Sequence, residues 1–378
     1  MSKTDRFEGP TCYVHWHRYT RERAGETDAE EYFLYSDAHL TGSLEDRFEP
    51  FSVMNRVPPY NRYGYIQAVM VFRTLYLENH AISEGRIGNL FYHKSRLKYH
   101  FPGRIKDEIA SLLSLALGVR LKAGSSYRWF PASNRYGTPI LHDHDSPIFN
   151  FQPRENPRLP WTMGPISINS AEPLLKSFFR MPPSLAYRVL LASRLYQEAL
   201  WVAESQPELS WLLLVSAVEV AAGRQSQKQD CVELLKLEKP SWYDALRNSP
   251  NELREIAEHW ASLSGATKKF VQFLVTDVPP PPSRRPDPSA QVDWTDNVLC
   301  KMCKEIYKQR SRMLHSGIPF SKYLCVPPLQ HHSWNAPSEI TDGVMTLHVF
   351  EYIVRHRLTS WWVASAGSQH LAPGSAST

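Results

Sequence analysis

The 378-residue chain has only five cysteines, Cys12, Cys231, Cys300, Cys303 and Cys325, an odd number spread along its length. This spacing does not form a secreted disulfide framework, and reduced thiols in a cytosolic protein are the expectation it sets. No stretch approaches the roughly 18 consecutive apolar residues that a membrane-spanning helix needs. The segment Met1 to Pro10 is polar and lacks the apolar core of a signal peptide, so a cytoplasmic location is expected. Charge bias is also slight. The formal net charge of +5 is too small to name a nucleic-acid partner, and any electrostatic argument must come from local clustering. There is no internal repeat, Gly-rich phosphate loop or nucleophile elbow, which leaves repeat arrays, P-loop enzymes and α/β-hydrolases without a motif.

The apolar fraction of 42% and the charged fraction of 21% are those of a globular protein long enough for two domains. Composition shifts near residue 165. Before it, aromatics and short mixed segments dominate. Thr11 to Tyr19 alternates like a strand and Glu31 to Tyr35 continues that style, whereas Tyr65 to Leu77 fits a strand or a helix. Asp107 to Leu117 reads as a helix with an acidic first turn and Gly118 as its stop. Proline punctuation from Pro131 to Pro165 argues against long helices there. The expected fold class is α+β: a mixed α/β module over residues 1–164, an all-α helical bundle over 165–364, and a disordered tail over 365–378.

In the second part, Ser184 can cap a helix reaching about Glu204, with Tyr187, Leu190, Leu191, Leu195 and Ala199 on one face. Leu209 to Ala222 is apolar almost all round, as in a buried central helix. Shorter helices are expected at Gln229–Leu237 and Asn251–Leu263. A loop over Val278–Pro288, containing Pro279–Pro282, is expected to project from the surface. The last strong helices are Trp294–Leu314 and Glu339 to about Trp362.

The helix ending at Gly317 carries the chemistry. Asp293 or Thr295 can cap its start. Leu299, Cys303, Ile306, Arg310 and Met313 fall along one stripe, so Arg310 stands where an apolar residue belongs. A guanidinium cannot shed its charge, so either a carboxylate meets it or the stripe opens into a polar cleft; Glu219, in the most apolar helix, is the candidate partner. His315, five residues on, lies about 140° around a straight helix from Arg310. The two can share a site only if the helix end frays or a second copy crosses nearby. Lys301, Lys304, Lys308, Arg310 and Arg312 against the single acid Glu305 make a basic helix, the footprint expected for a phosphodiester ligand as well as for a solvated face.

Two rival constellations present metal-ligand types. Cys300-Lys-Met-Cys303, with Cys325, His331 and His332 beyond, has the residues of a zinc site, but no second CxxC follows, and packing of small apolar thiols is the simpler reading. The loop His142-Asp143-His144-Asp145, joined by His15 and His17 alternating on a strand, can be imagined around a divalent metal that would make the first module a hydrolase.

The string Arg310-Ser311-Arg312-Met313-Leu314-His315 resembles the arginine, four residues, histidine element of the HEPN superfamily. The longer IYKQRSRMLHSG, with LYQEAL at Leu195–Leu200 and the apolar helix bearing Glu219, resembles the ApeA-like HEPN branch over about residues 165 to 364. SLLSLALG at Ser111–Gly118 is faintly similar to the N-terminal modules that accompany that branch. The resemblance implies a helical bundle that forms a homodimer, facing two motifs across one cleft. It implies a metal-independent endoribonuclease of the toxin or anti-phage kind, without cofactor, with a phage-derived or cellular trigger and a sensing or regulatory N-terminal module. Under it His315 is the acid/base, Arg310 stabilises the phosphorane charge, and Ser311 and Glu219 support. Arg312, Lys308 and Lys304 would hold RNA. Ser311 stands where the family often has asparagine. The alternative within the same family is a non-catalytic module that binds RNA, a nucleotide or a protein, with Arg310 structural.

Overall fold

The computed structural model describes residues 9–22, 28–45, 48–56, 66–76, 104–140, 147, 157–159, 164–223, 231–331 and 336–367. Antiparallel strands dominate the first part and helices the second, so the fold is α+β as the sequence predicts. By contact, the chain divides into two units. One holds the described residues up to Ala217 together with those from Leu358; the other holds Val218–Arg357. The compositional step at 164–165 lies within the first unit.

The first unit begins with α1 (Thr11–Glu22), followed by β1 (Asp28–Ser36), β2 (His39–Thr41), β3 (Phe51–Asn55) and β4 (Gln67–Tyr76). Next come α2 (Ile105–Leu117), β5 (Lys122–Phe130), β6 (Thr138–Pro139), β7 (Pro165–Ser167), α3 (Glu172–Phe178), α4 (Pro183–Val202) and α5 (Pro207–Ala222), whose last turns belong to the second unit. The main sheet has the order β3-β4-β1-β5-β6 and is antiparallel throughout; β2 pairs in parallel with β7. Tyr32, Leu34, Phe51, Val53, Met70 and Phe72 are buried on one face of the sheet. They form a core on the period-two pattern of a half-buried sheet. The ambiguous run after Tyr65 resolves as β4, because its pairing on both sides satisfies backbone groups that a helix would satisfy internally.

The strand expected at Thr11–Tyr19 is a helix. The Glu108 carboxylate of α2 accepts the amides of Thr11 (3.2 Å) and Cys12 (2.6 Å), donors that a first helical turn leaves without partners. Trp16 then stacks on Phe179 at 5.0 Å and Tyr13 meets Phe178 edge-on at 6.1 Å. Tertiary packing at helical spacing has overridden the local alternation. His15 and His17, two positions apart on a helix, point in different directions, and the His15 ring nitrogen bonds the Leu75 carbonyl at 2.6 Å. The expected shared face is therefore lost. His142–Asp145 lies outside the described residues.

Helix α2 ends at Gly118, which adopts φ 69° and returns its N–H to the Ser114 carbonyl. Glu108 is buried rather than favouring its own helix dipole from the surface. Helix α4 is capped at Pro182 with Pro183 at its first position, so Ser184 is inside the helix, not its cap. Its buried face comprises Ala186, Val189, Leu190, Ser193, Tyr196 and Leu200, while Tyr187, Leu191 and Leu195 are half-buried. A buried charge network secures the same unit. Arg120 reaches Asp37 at 2.6 Å, Glu204 at 3.2 Å and the Leu200 carbonyl at 3.0 Å. Glu204 also accepts the amides of Arg158 and Leu159.

The second unit contains α6 (Cys231–Glu238), α7 (Pro240–Leu246), α8 (Pro250–Val275), α9 (Asp296–Ser316) and α10 (Lys322–Cys325). It continues through β8 (Gln330–His331), β9 (Ala336–Pro337), β10 (Ile340–Thr341), β11 (Val344–Met345) and the first part of α11 (Leu347–Gly367). The helix expected to end at Leu263 runs on through Gly265 to Val275, because a single glycine costs only about 1 kcal/mol against a buried far end at Phe270, Val271 and Leu274. The proline loop is tied down instead of projecting. Trp294 donates to the Pro279 carbonyl, Tyr352 to that of Pro280, and Arg285 pairs with buried Glu339. Helix α11 begins at Leu347 rather than Glu339, since residues 340–345 form the hairpin β10–β11. It also covers Ser365 to Gly367, part of the expected disordered tail; residues 368–378 lie outside those described. Among the described residues, no helix is long and apolar enough to cross a membrane.

Candidate functional site

Helix α9 has Thr295 at its N-cap and Gly317, at φ 65°, beyond its last turn. The Asp293 side chain accepts the Thr295 amide at 3.1 Å, shaping the entry. Leu299, Cys303 and Ile306 are buried as the stripe predicts, with Met302 and Tyr307 beside them. The stripe then rises to the surface: Arg310 and Met313 are half-buried, and Leu314 and His315 are exposed.

Arg310 meets Glu219, with Nη2 to Oε2 at 2.7 Å and side-chain exposures of 18% and 28%. Tyr307 donates its hydroxyl to the other carboxylate oxygen of Glu219 at 2.9 Å, and the Arg310 guanidinium carbon lies 5.4 Å from the Tyr307 ring centre. Burial and the neighbouring carboxylate push the Tyr307 phenol up to about 12, so it remains a neutral donor. The first of the two alternatives for Arg310 holds: a carboxylate, Glu219, meets it, at the margin of the core and not deep within it. Glu219 takes one of five guanidinium N–H donors, and among the described residues Nε has no hydrogen-bond partner. Tyr307 was not foreseen; its signal was its place three residues before Arg310 on the same helical face.

The structure does not bring His315 to Arg310 within one chain. The helix keeps α geometry to Ser316, and the amides of Gly317 and Ile318 close onto the carbonyls of Met313 and Arg312. A frayed end is therefore not what joins them. Ser311 is half-buried, and Lys301, Lys304, Lys308 and Arg312 are exposed, with Lys308 3.3 Å from Glu305. Leu314 within the motif, and Ile318, Tyr323, Val326 and Leu329 after it, are exposed.

The CxxC is a packing feature. Cys303 is buried, and burial with nearby Cys300 pushes its thiol up to about 12. Cys300 and Cys325 are half-buried thiols that take part in no disulfide. His332 and the side chain of His331 lie outside the described residues. Among the described residues, no group of three or more His, Cys, Asp or Glu side chains could hold a metal ion. No protein-family model, curated protein or solved structure matches the chain.

Proposed function

We propose that this protein is a HEPN-type, metal-independent endoribonuclease, working as a homodimer in a toxin or anti-phage role. The observation that carries this reading is the C-terminal half of α9. There an exposed histidine in the last helical turn follows an arginine that Glu219 and Tyr307 hold in place, and exposed Lys304, Lys308 and Arg312 lie along the same helix. In its protonated form the imidazole can give a proton to a leaving 5′-oxygen. Its neutral form can take the proton of an attacking 2′-hydroxyl. Arg310, with donors left over after Glu219, can neutralise phosphorane charge. Lys304, Lys308 and Arg312 supply backbone attraction. A second copy of the chain supplies the missing convergence of Arg310 and His315, and the exposed apolar residues from Leu314 to Leu329 support self-association beside the motif.

The test is cleavage of RNA by purified protein in EDTA, compared with His315→Ala. Cleavage by the parent and at least a hundredfold loss in the variant are expected, of the order a single acid/base group contributes; equal cleavage by the two removes His315 from the chemistry. One observation favours a second reading, a non-catalytic RNA-, nucleotide- or protein-binding module. The ion pair with Glu219 gives Arg310 a structural task that needs no substrate. In that case EDTA-resistant cleavage is absent from the parent itself.

A further inference from the structure

The main sheet has a second face, opposite the α2 core, and its composition is unusual. Register places Glu31 beside Arg73 and Arg128, and Phe33 beside Val71, on that face. Phe33 and Tyr127 stack face to face, 4.0 Å apart and within 2° of parallel. The Arg56 guanidinium carbon lies 4.4 Å from the Phe33 ring centre. A second layer repeats the arrangement, with Arg73 4.2 Å and Arg128 5.9 Å from the Phe130 centroid. At the β5–β6 turn, Arg128 donates to the Tyr136 carbonyl at 3.2 Å. Gly137, at φ 69°, passes so close to Phe130 that a Cβ would sit 2.7 Å from the ring. This turn presents Tyr136, 70% exposed, with Arg135 4.9 Å from its centroid.

Charge on this face is one-sided. Among the described residues this face carries Arg56, Arg73, Arg128 and Arg135 against one carboxylate, Glu31, which is already engaged by the Tyr127 hydroxyl at 2.6 Å and by Arg73 at 3.1 Å. Flat rings alternating with guanidinium planes across an antiparallel sheet match what unpaired bases and their phosphates require: π-faces to stack on and cations to follow the backbone. A duplex hides its base faces and cannot use such rings.

We propose that this sheet face binds single-stranded RNA, with exposed Tyr136 receiving a base and Arg56, Arg73, Arg128 and Arg135 meeting phosphates. The choice of RNA over other strands rests on the proposed ribonuclease activity; the stacking chemistry does not. The test is fluorescence anisotropy of the full-length protein with a labelled 2′-O-methyl oligouridylate, which lacks the internal nucleophile and so survives any cleavage. Tyr136→Ala, at an exposed turn, is expected to weaken binding about 5- to 100-fold, the range for one stacked base. Arg135→Ala is expected to reduce the slope of log affinity against log salt by about 0.7. No binding by the parent, equal binding by Tyr136→Ala, or tighter binding of a duplex overturns the proposal. The two readings fail separately. Cleavage in EDTA with unchanged oligonucleotide binding by Tyr136→Ala removes the sheet site alone, whereas Tyr136-dependent binding without any cleavage removes the ribonuclease alone.

Discussion

Breaking the contact between Arg310 and Glu219 should separate structure from chemistry at the candidate site. At 2.7 Å, with both side chains less than one-third exposed, the pair is neither a freely solvated surface bridge nor a fully desolvated one. Unit charges near 4 Å attract by about 4 kcal/mol at an effective dielectric near 20. Desolvation and side-chain ordering offset most of that, leaving a net of about 1 to 2 kcal/mol, in line with hydrogen bonds to charged groups. Arg310→Ala also strips contact from Tyr307 and should cost about 2 to 3 kcal/mol in all. Urea unfolding of the parent, Arg310→Ala, Glu219→Ala and the double variant, followed by helicity, gives the coupling energy as a double-mutant cycle. The expected coupling is about 1.5 kcal/mol. Additivity to within about 0.3 kcal/mol would refute the view that this pair holds the arginine. His315→Ala is exposed and should change stability by less than about 0.5 kcal/mol. Lost activity in that variant therefore reports chemistry, while the same loss in Arg310→Ala mixes chemistry with unfolding.

Other perturbations test the scaffold. Arg120→Met leaves buried Asp37 and Glu204 without their shared cation and should destabilise the protein by about 3 to 5 kcal/mol, read as a lowered urea midpoint; a loss below about 1 kcal/mol contradicts the network. Burial raises the Glu108 carboxyl from 4.5 to about 7, partly countered by the amides of Cys12 and Thr11. Because the folded state keeps this proton longer, its contribution is full below pH about 4.5 and is lost as pH rises through about 7. Relative to Glu108→Gln, the parent should lose up to roughly 3 kcal/mol across that window, and a pH-independent difference in melting temperature rejects this assignment. Under native conditions a maleimide should label Cys300 while sparing Cys303, whose thiol is buried and pushed up to about 12; equal labelling rates rule out the packing role.

Much of the second unit was legible because helix signals are local. The stop at Gly317, the buried positions Leu299, Cys303 and Ile306, and Glu219 as the partner of Arg310 all follow from spacing and from the cost of a lone buried charge. The first unit was less legible. The rings of Thr11–Tyr19 alternate like a strand, and only the distant carboxylate of Glu108 and the surface of Phe178 and Phe179 make a helix of them.

By itself, then, the sequence determined that a basic helix carries His315 in its last turn before Gly317, since 3.6-residue periodicity and a glycine stop lie within one segment. It also determined that Arg310 needs a carboxylate, since a guanidinium keeps its charge wherever it is placed. Tertiary structure alone decided that the pair lies at the margin of the core, that Tyr307 shares Glu219, and that the helix does not fray. It alone decided, too, that rings and arginines from four separate segments gather on one sheet face. Those outcomes depend on strand register and on desolvation by distant segments, which no local window of sequence contains.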